Sequence, residues 1–254
     1  MKNLLVRVPE VTFTFWLLKI LSTTVGETGA DFISYNLGLG LDITSLIMGG
    51  LLAASLFIQF KCKRYVPVSY WTVVILMSIV GTLITDMLVD DLGVSLVTLS
   101  IVFTITMLAG FVVWYKSEKT LSIHSIDTAK REMFYWIIIL LAFALGTGIG
   151  DLISEGLGLG YGVALLIFAA SIAIVAFGFY GLKMNSVLAF WIAFVLTRPL
   201  GASLGDFMIK PFTESGLGLG MTTVNVLFLL AIVSLIAYLS IMQKRAIFLM
   251  EQEK

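Results

Sequence analysis

Charge is the scarcest commodity in this chain: Asp, Glu, Lys and Arg supply only 13% of its 254 residues, against about 25% in soluble domains. Sixteen bases balance sixteen acids, so there is no net positive field to recruit a nucleic acid. A single cysteine, Cys62, excludes an intrachain disulfide framework and a cysteine cage for a metal. The single histidine, His124, lies in a polar loop and reads as solvated. With no Ser/His pair, no H-E-x-x-H and no paired histidines, the residues offer no constellation for enzyme chemistry and none that calls for a cofactor.

What is abundant is apolar: hydrophobic residues make up 59% of the chain and mean hydropathy is +1.04. A chain this apolar cannot hide its surface in one water-exposed globule, so the sequence predicts an integral membrane protein. Crossing a bilayer takes about 20 mostly apolar residues, and eight stretches qualify: 11–32, 42–60, 67–88, 94–115, 133–153, 161–182, 187–208 and 221–242. The first carries Lys19, precedes GETGAD and lacks a small-residue cleavage pattern, so it is expected to stay as a membrane helix. Bases cluster at Lys2, Arg7, Lys61, Lys63, Arg64, Lys116, Lys119, Lys130, Arg131, Lys183, Lys244 and Arg245, whereas the opposite connections carry one base, Lys210, and many acids. Positive charge marks the cytoplasmic side. Both termini are therefore expected in the cytoplasm, with the protein in a bacterial inner membrane.

Repetition organises the rest. Trp16, Trp71, Trp136 and Trp191 are each followed ten residues later by a glycine (Gly26, Gly81, Gly146, Gly201) and fifteen later by an aspartate (Asp31, Asp86, Asp151, Asp206). Each unit then reaches a glycine-bearing tip: NLGLG, DLGVS, GLGLG and GLGLG, the last after five extra residues. The repeats run approximately 9–64, 65–119, 130–183 and 184–245 within one transmembrane domain spanning 1–254. Two spans per unit make all four hairpins parallel, related by a pseudo-twofold or pseudo-fourfold axis along the membrane normal. The fold class is thus an all-α membrane protein of eight helices in four hairpins. The tryptophans fall where an interfacial aromatic belt is expected, and each Asp lies ~22 Å further along its helix.

Positions seven, eleven and fifteen after each Trp share one helical face: Thr23-Glu27-Asp31, Ser78-Thr82-Asp86, Phe143-Thr147-Asp151 and Arg198-Ala202-Asp206. Charges at membrane depth face the bundle interior, where they pair or line a pathway, so the odd-numbered spans are expected to turn these stripes to a shared centre. Five acids, Glu27 and the four Asp, stand against Lys19 and Arg198, which favours cations over anions. Lys19 and Arg198 are candidates for neutralising a neighbouring carboxylate or for gating. Pro199 makes span 7 the candidate for a discontinuous or hinged helix. Asp90, Glu155 and Glu214 are expected at the mouth as an electrostatic funnel.

The stretches FWLLKILSTTVGETGAD (15–31), YWTVVILMSIVGTLITD (70–86), YWIIILLAFALGTGIGD (135–151) and FWIAFVLTRPLGASLGDFMIKP (190–211) resemble a family of bacterial membrane proteins. Its members are built from four tandem two-helix repeats of unknown function, each with a characteristic Trp. The resemblance spans essentially the whole chain and implies fold and repeat organisation, with no activity to carry over.

Function therefore follows from the residues. Carboxylates with Thr23, Thr82 and Thr147 hydroxyls suit hard cations, and the absence of His or Cys disfavours Zn and Cu. The expectation is a transporter moving a divalent metal such as Mn²⁺ by proton-coupled exchange, with Glu27, Asp31, Asp86, Asp151 and Asp206 as metal ligands. Alternatives are a cation channel with an Asp ring and an exporter of a small organic cation. The expected partners are the bilayer, the cation, protons and a second copy in a homodimer.

Overall fold

The computed structural model describes residues 6–252, leaving Lys2, one of the orienting bases, outside the described residues. Eight long helices run α1 (Phe13–Asp31), α2 (Gly40–Lys61), α3 (Pro67–Asp86), α4 (Leu96–Glu118), α5 (Ala129–Asp151), α6 (Tyr161–Tyr180), α7 (Ser186–Ile209) and α8 (Met221–Gln252). No strand occurs among the described residues. Seven helices, α2 to α8, are long and apolar enough to cross a membrane, which makes this a multi-pass membrane protein. The helix that falls outside that set, α1, carries Lys19, Glu27, Asp31 and four threonines.

Helix α1 packs on α3 and α7, and α5 packs on the same two, so the odd-numbered helices close into a ring. Small residues set the approach. A methyl added at Gly26 would run into Ser78, at Gly81 into Phe143, at Gly146 into Arg198 and at Gly201 into Thr23. In each case the neighbour stands seven residues after the next repeat's Trp, and the last contact returns to the first repeat. The even-numbered helices stand outside, α2 on α3, α4 on α5, α6 on α7 and α8 on α1. Asn225 ties α8 to α1 by accepting from the Thr28 hydroxyl at 2.7 Å and donating to its carbonyl at 3.2 Å.

The hairpin tips gather at one end, the tip end, and the remaining connections with both terminal segments at the other, the terminal end. Each tip turns on a glycine in the left-handed region, Gly38, Gly93, Gly158 and Gly218 at φ 64–70°. Immediately after the repeat Asp, the first three odd helices widen into a π-helical turn (Phe32–Asn36, Met87–Asp91, Leu152–Gly156). The fourth instead ends at Ile209, two residues before Pro211, and its five additional residues fold back as Leu217, Gly218 and Leu219 donate to the carbonyls of Phe207, Lys210 and Met208.

At the terminal end the tryptophans do not form the expected lipid-facing belt. Trp71, Trp136 and Trp191 are buried and Trp16 is half-buried. The residue before each Trp meets the Trp of the next repeat: Phe15–Trp71 at 5.7 Å, Tyr70–Trp136 at 5.4 Å, Tyr135–Trp191 at 6.1 Å and Phe190–Trp16 at 5.8 Å between ring centres. Eight rings packed against one another bury more apolar surface than rings turned to lipid headgroups, and that decides their orientation.

Candidate functional site

The stripe residues converge inside the ring. Proceeding from the terminal end, the first polar group above the aromatic layer is Lys19. Its side chain is fully buried, its Nζ has no hydrogen-bond acceptor, and it lies 4.2 Å from the ring centres of both Phe143 and Phe194. Lys19 therefore does not neutralise a carboxylate. It is held by the negative faces of two phenyl rings.

One turn further lies Arg198, also fully buried. Its guanidinium reaches into the next layer, where Nη2 donates to Glu27 Oε2 at 2.7 Å, to Thr147 Oγ1 at 2.6 Å and to Thr82 Oγ1. Nη1 donates to the Thr23 carbonyl at 3.3 Å. Thr82 in turn donates to Glu27 Oε2 at 3.1 Å. Residues from all four repeats thus meet at one guanidinium. The fourth repeat has Ala202 where the others have Glu27, Thr82 and Thr147, and it contributes the arginine from one turn below instead. The Thr23 hydroxyl turns away, donating to the Ile20 carbonyl at 2.7 Å, so Thr23 enters the site through its backbone only.

Helix α7 is unbroken through Pro199, so the expected discontinuity is absent. Proline removes the hydrogen bond to the Val195 carbonyl and crowds the preceding turn. Its ring passes against Gly146, 3.0 Å from where a Cβ would stand, so the bare glycine leaves room for it between α5 and α7.

The Asp layer follows. Asp206 is buried, whereas Asp31, Asp86 and Asp151 are half-buried. Carboxylate oxygens of Glu27, Asp151 and Asp206 lie within 4.8 Å of one another, a spacing from which three oxygens can reach one cation. Asp31 and Asp86 lie outside this closest group. Above it Asp90, Glu155 and Glu214 are exposed at the tip end.

Nineteen residues after each Trp stand Tyr35, Asp90, Glu155 and Lys210, a further layer in which Tyr35 and Lys210, not singled out from the sequence, join the expected mouth acids Asp90 and Glu155. Tyr35 donates to Asp90 at 3.3 Å and Tyr161 donates to Glu155 at 2.7 Å. Lys210, just past α7, lies 5.7 Å from the Tyr161 ring centre. Burial works against its charge, but Asp206, Asp31, Glu155 and Glu214 outweigh burial and hold its pKa above the ordinary lysine value. The signal was available, since these positions continue the i, i+4 stripe by one more turn.

Also unforeseen is a polar knot at the terminal end. Glu132, fully buried at the start of α5, accepts from Arg7 at 2.7 Å, Gln59 at 2.9 Å and the Trp136 indole at 3.4 Å. It binds the segment before α1 to α2 and α5. No spacing rule leads to it, because Arg7, Gln59 and Glu132 come from three unrelated positions of the repeat.

Four stretches of the chain, 14–65, 69–120, 134–184 and 189–245, match the model of a family described as Repeat of Unknown Function (DUF347). No curated protein and no solved structure matches the chain.

Proposed function

The chain belongs to the DUF347 family of repeats, and from its interior we propose that it is a membrane transporter moving a divalent cation such as Mn²⁺ in exchange for protons. The observation that carries this reading is the convergence of Glu27, Asp151 and Asp206 oxygens within 4.8 Å, beneath an acidic mouth and above a closed axis. Cations and protons compete for carboxylates this close together, because neighbouring negative charges raise the cost of leaving all of them bare. One layer below, the hydroxyls of Thr82 and Thr147 hold the Arg198 guanidinium in place.

In this reading α1 is the eighth span. Its charges are tolerated because they face the ring interior. The four hairpins are related by a pseudo-fourfold axis along the membrane normal, and the basic terminal end lies in the cytoplasm. Arg198, the Lys19–Phe143–Phe194 layer and the eight aromatic rings stand in series across the axis, which favours a transporter over an open channel.

The test is flux of a panel of divalent metals into liposomes containing the purified protein, with and without a pH gradient. Mn²⁺ uptake driven by the gradient and reduced at least tenfold in both Asp151→Asn and Asp206→Asn is the expected result. Ohmic, gradient-independent current points to a channel, and no flux of any cation removes the proposal.

A further inference from the structure

Lys19 is a fully buried base in the ring interior whose Nζ has no polar partner. Arg198 is locked by four acceptors, and an arginine does not give up its proton in a protein. Lys19 differs on both counts: no acceptor fixes its ammonium, and lysine is the cation whose protonation state proteins do change. Of the groups in contact with its ammonium, two phenyl faces favour the charged form.

A second observation concerns access. A cavity of about 570 Å³ opens between α1, α6, α7 and the α4–α5 connection, lined among others by Thr12, Trp16, Ile20, His124, Ser186 and Thr197. Trp16 and Ile20 flank Lys19 on α1, and Thr197 immediately precedes Arg198 on α7. The cavity thus climbs from the terminal end to the level of these two bases, neither of which lines it, and the α1–α7 seam separates it from Lys19.

We propose that Lys19 is a proton-carrying residue of the exchange, served by this cavity; the inference rests on the cation-transport reading above. As a cation settles among Glu27, Asp151 and Asp206, Lys19 Nζ–H₃⁺ gives up one proton across the α1–α7 seam, where the Thr23 hydroxyl lies 3.3 Å from the carbonyl of the cavity-lining Thr197, to water in the cavity, its N–H bond electrons remaining as the lone pair. When the cation leaves, the amine takes a proton back. The coupling is Coulombic. Lys19 and Glu27 are eight residues apart on α1, ~12 Å along the helix, and at that separation two unit charges shift each other's equilibria by about tenfold at an effective dielectric constant near 20. The charged groups on the surrounding elements are Arg198 and Asp206 on α7, Lys130, Arg131, Glu132 and Asp151 on α5, Asp86 on α3, and Glu27 and Asp31 on α1 itself, while α8 carries none before Lys244. Arg198 adds to the repulsion an arriving cation exerts, and the carboxylates oppose it until they are filled.

The experiment compares wild type, Lys19→Met and Lys19→Arg in liposomes, with Mn²⁺ as the probe outside and a pH-sensitive dye inside. Methionine keeps the length and apolar stem, and arginine keeps the charge without a removable proton. Mn²⁺ binding is expected to shift by no more than about tenfold, tighter in Lys19→Met and weaker in Lys19→Arg, while Mn²⁺-driven proton movement falls at least tenfold in both. A variant pair that keeps wild-type proton movement overturns the proposal. A readout independent of transport is melting temperature in detergent from pH 6 to 10, where wild type is expected to show an inflection that Lys19→Met lacks. Superimposable curves also overturn it. Absence of Mn²⁺ flux in wild type, by contrast, strikes the transport reading, and the melting curves then decide Lys19 alone.

Discussion

Arg198 and Glu27 show how much one residue's place can depend on another. Both were identified from the sequence as buried charges at helical spacing, and the expectation that Arg198 neutralises a carboxylate matches its 2.7 Å contact with Glu27. The same expectation for Lys19 failed, because a lysine's partner is set by neighbouring helices and those present phenyl rings. Removing one member of a buried pair leaves an uncompensated charge and costs about 3–5 kcal/mol. Arg198→Met and Glu27→Gln are therefore each expected to lower stability by that order in detergent melting, with the double variant losing clearly less than the two combined. Lys210 gives a prediction with a definite sign. Its pKa is raised in the folded chain, so its stabilising effect is full below the ordinary lysine value of about 10.4 and disappears as pH climbs through the folded value. Lys210→Gln is expected to melt earlier than wild type at pH 7, and the gap is expected to close as pH climbs through the raised folded value.

At the scale of helices, the W-x9-G-x4-D spacing made much of the assembly legible. The repeat glycine marks where one odd helix touches the next, and the Asp marks where the first three helices widen into a π turn. The turns themselves were not legible: a π turn differs from an α turn by one hydrogen-bond step, and no residue type dictates it. The tryptophans misled because an indole suits both a lipid interface and an aromatic core, and only the identity of its neighbours decides. Pro199 misled for the same reason, since the glycine that accommodates it sits on another helix. Packing at the glycines is directly testable. Gly146→Ala drives a methyl into Arg198 and Pro199 and is expected to cost about 1–3 kcal/mol by thermal melting. Gly49→Ala in α2 meets nothing within 4 Å and is expected to be neutral or stabilising by up to ~1 kcal/mol.

For the whole molecule, scarce charge and high hydropathy were enough to place the chain in a membrane, and spacing was enough to show four units. What composition did not convey is that α1, by hydropathy the least membrane-like helix, lies against two ring neighbours and α8. Its polar residues make sense only once the other three repeats surround them. The ring also explains why no single repeat holds a complete site: Glu27 comes from the first, Asp151 from the third and Asp206 from the fourth. The central claim is that these three carboxylates converge on one cation, and the most direct measurement is anomalous diffraction at the manganese edge from crystals grown with Mn²⁺. One anomalous peak bounded by Glu27, Asp151 and Asp206, absent in Asp206→Asn, is the predicted result. Peaks confined to the exposed acids Asp90, Glu155 and Glu214, or no peak in the ring at all, would contradict it.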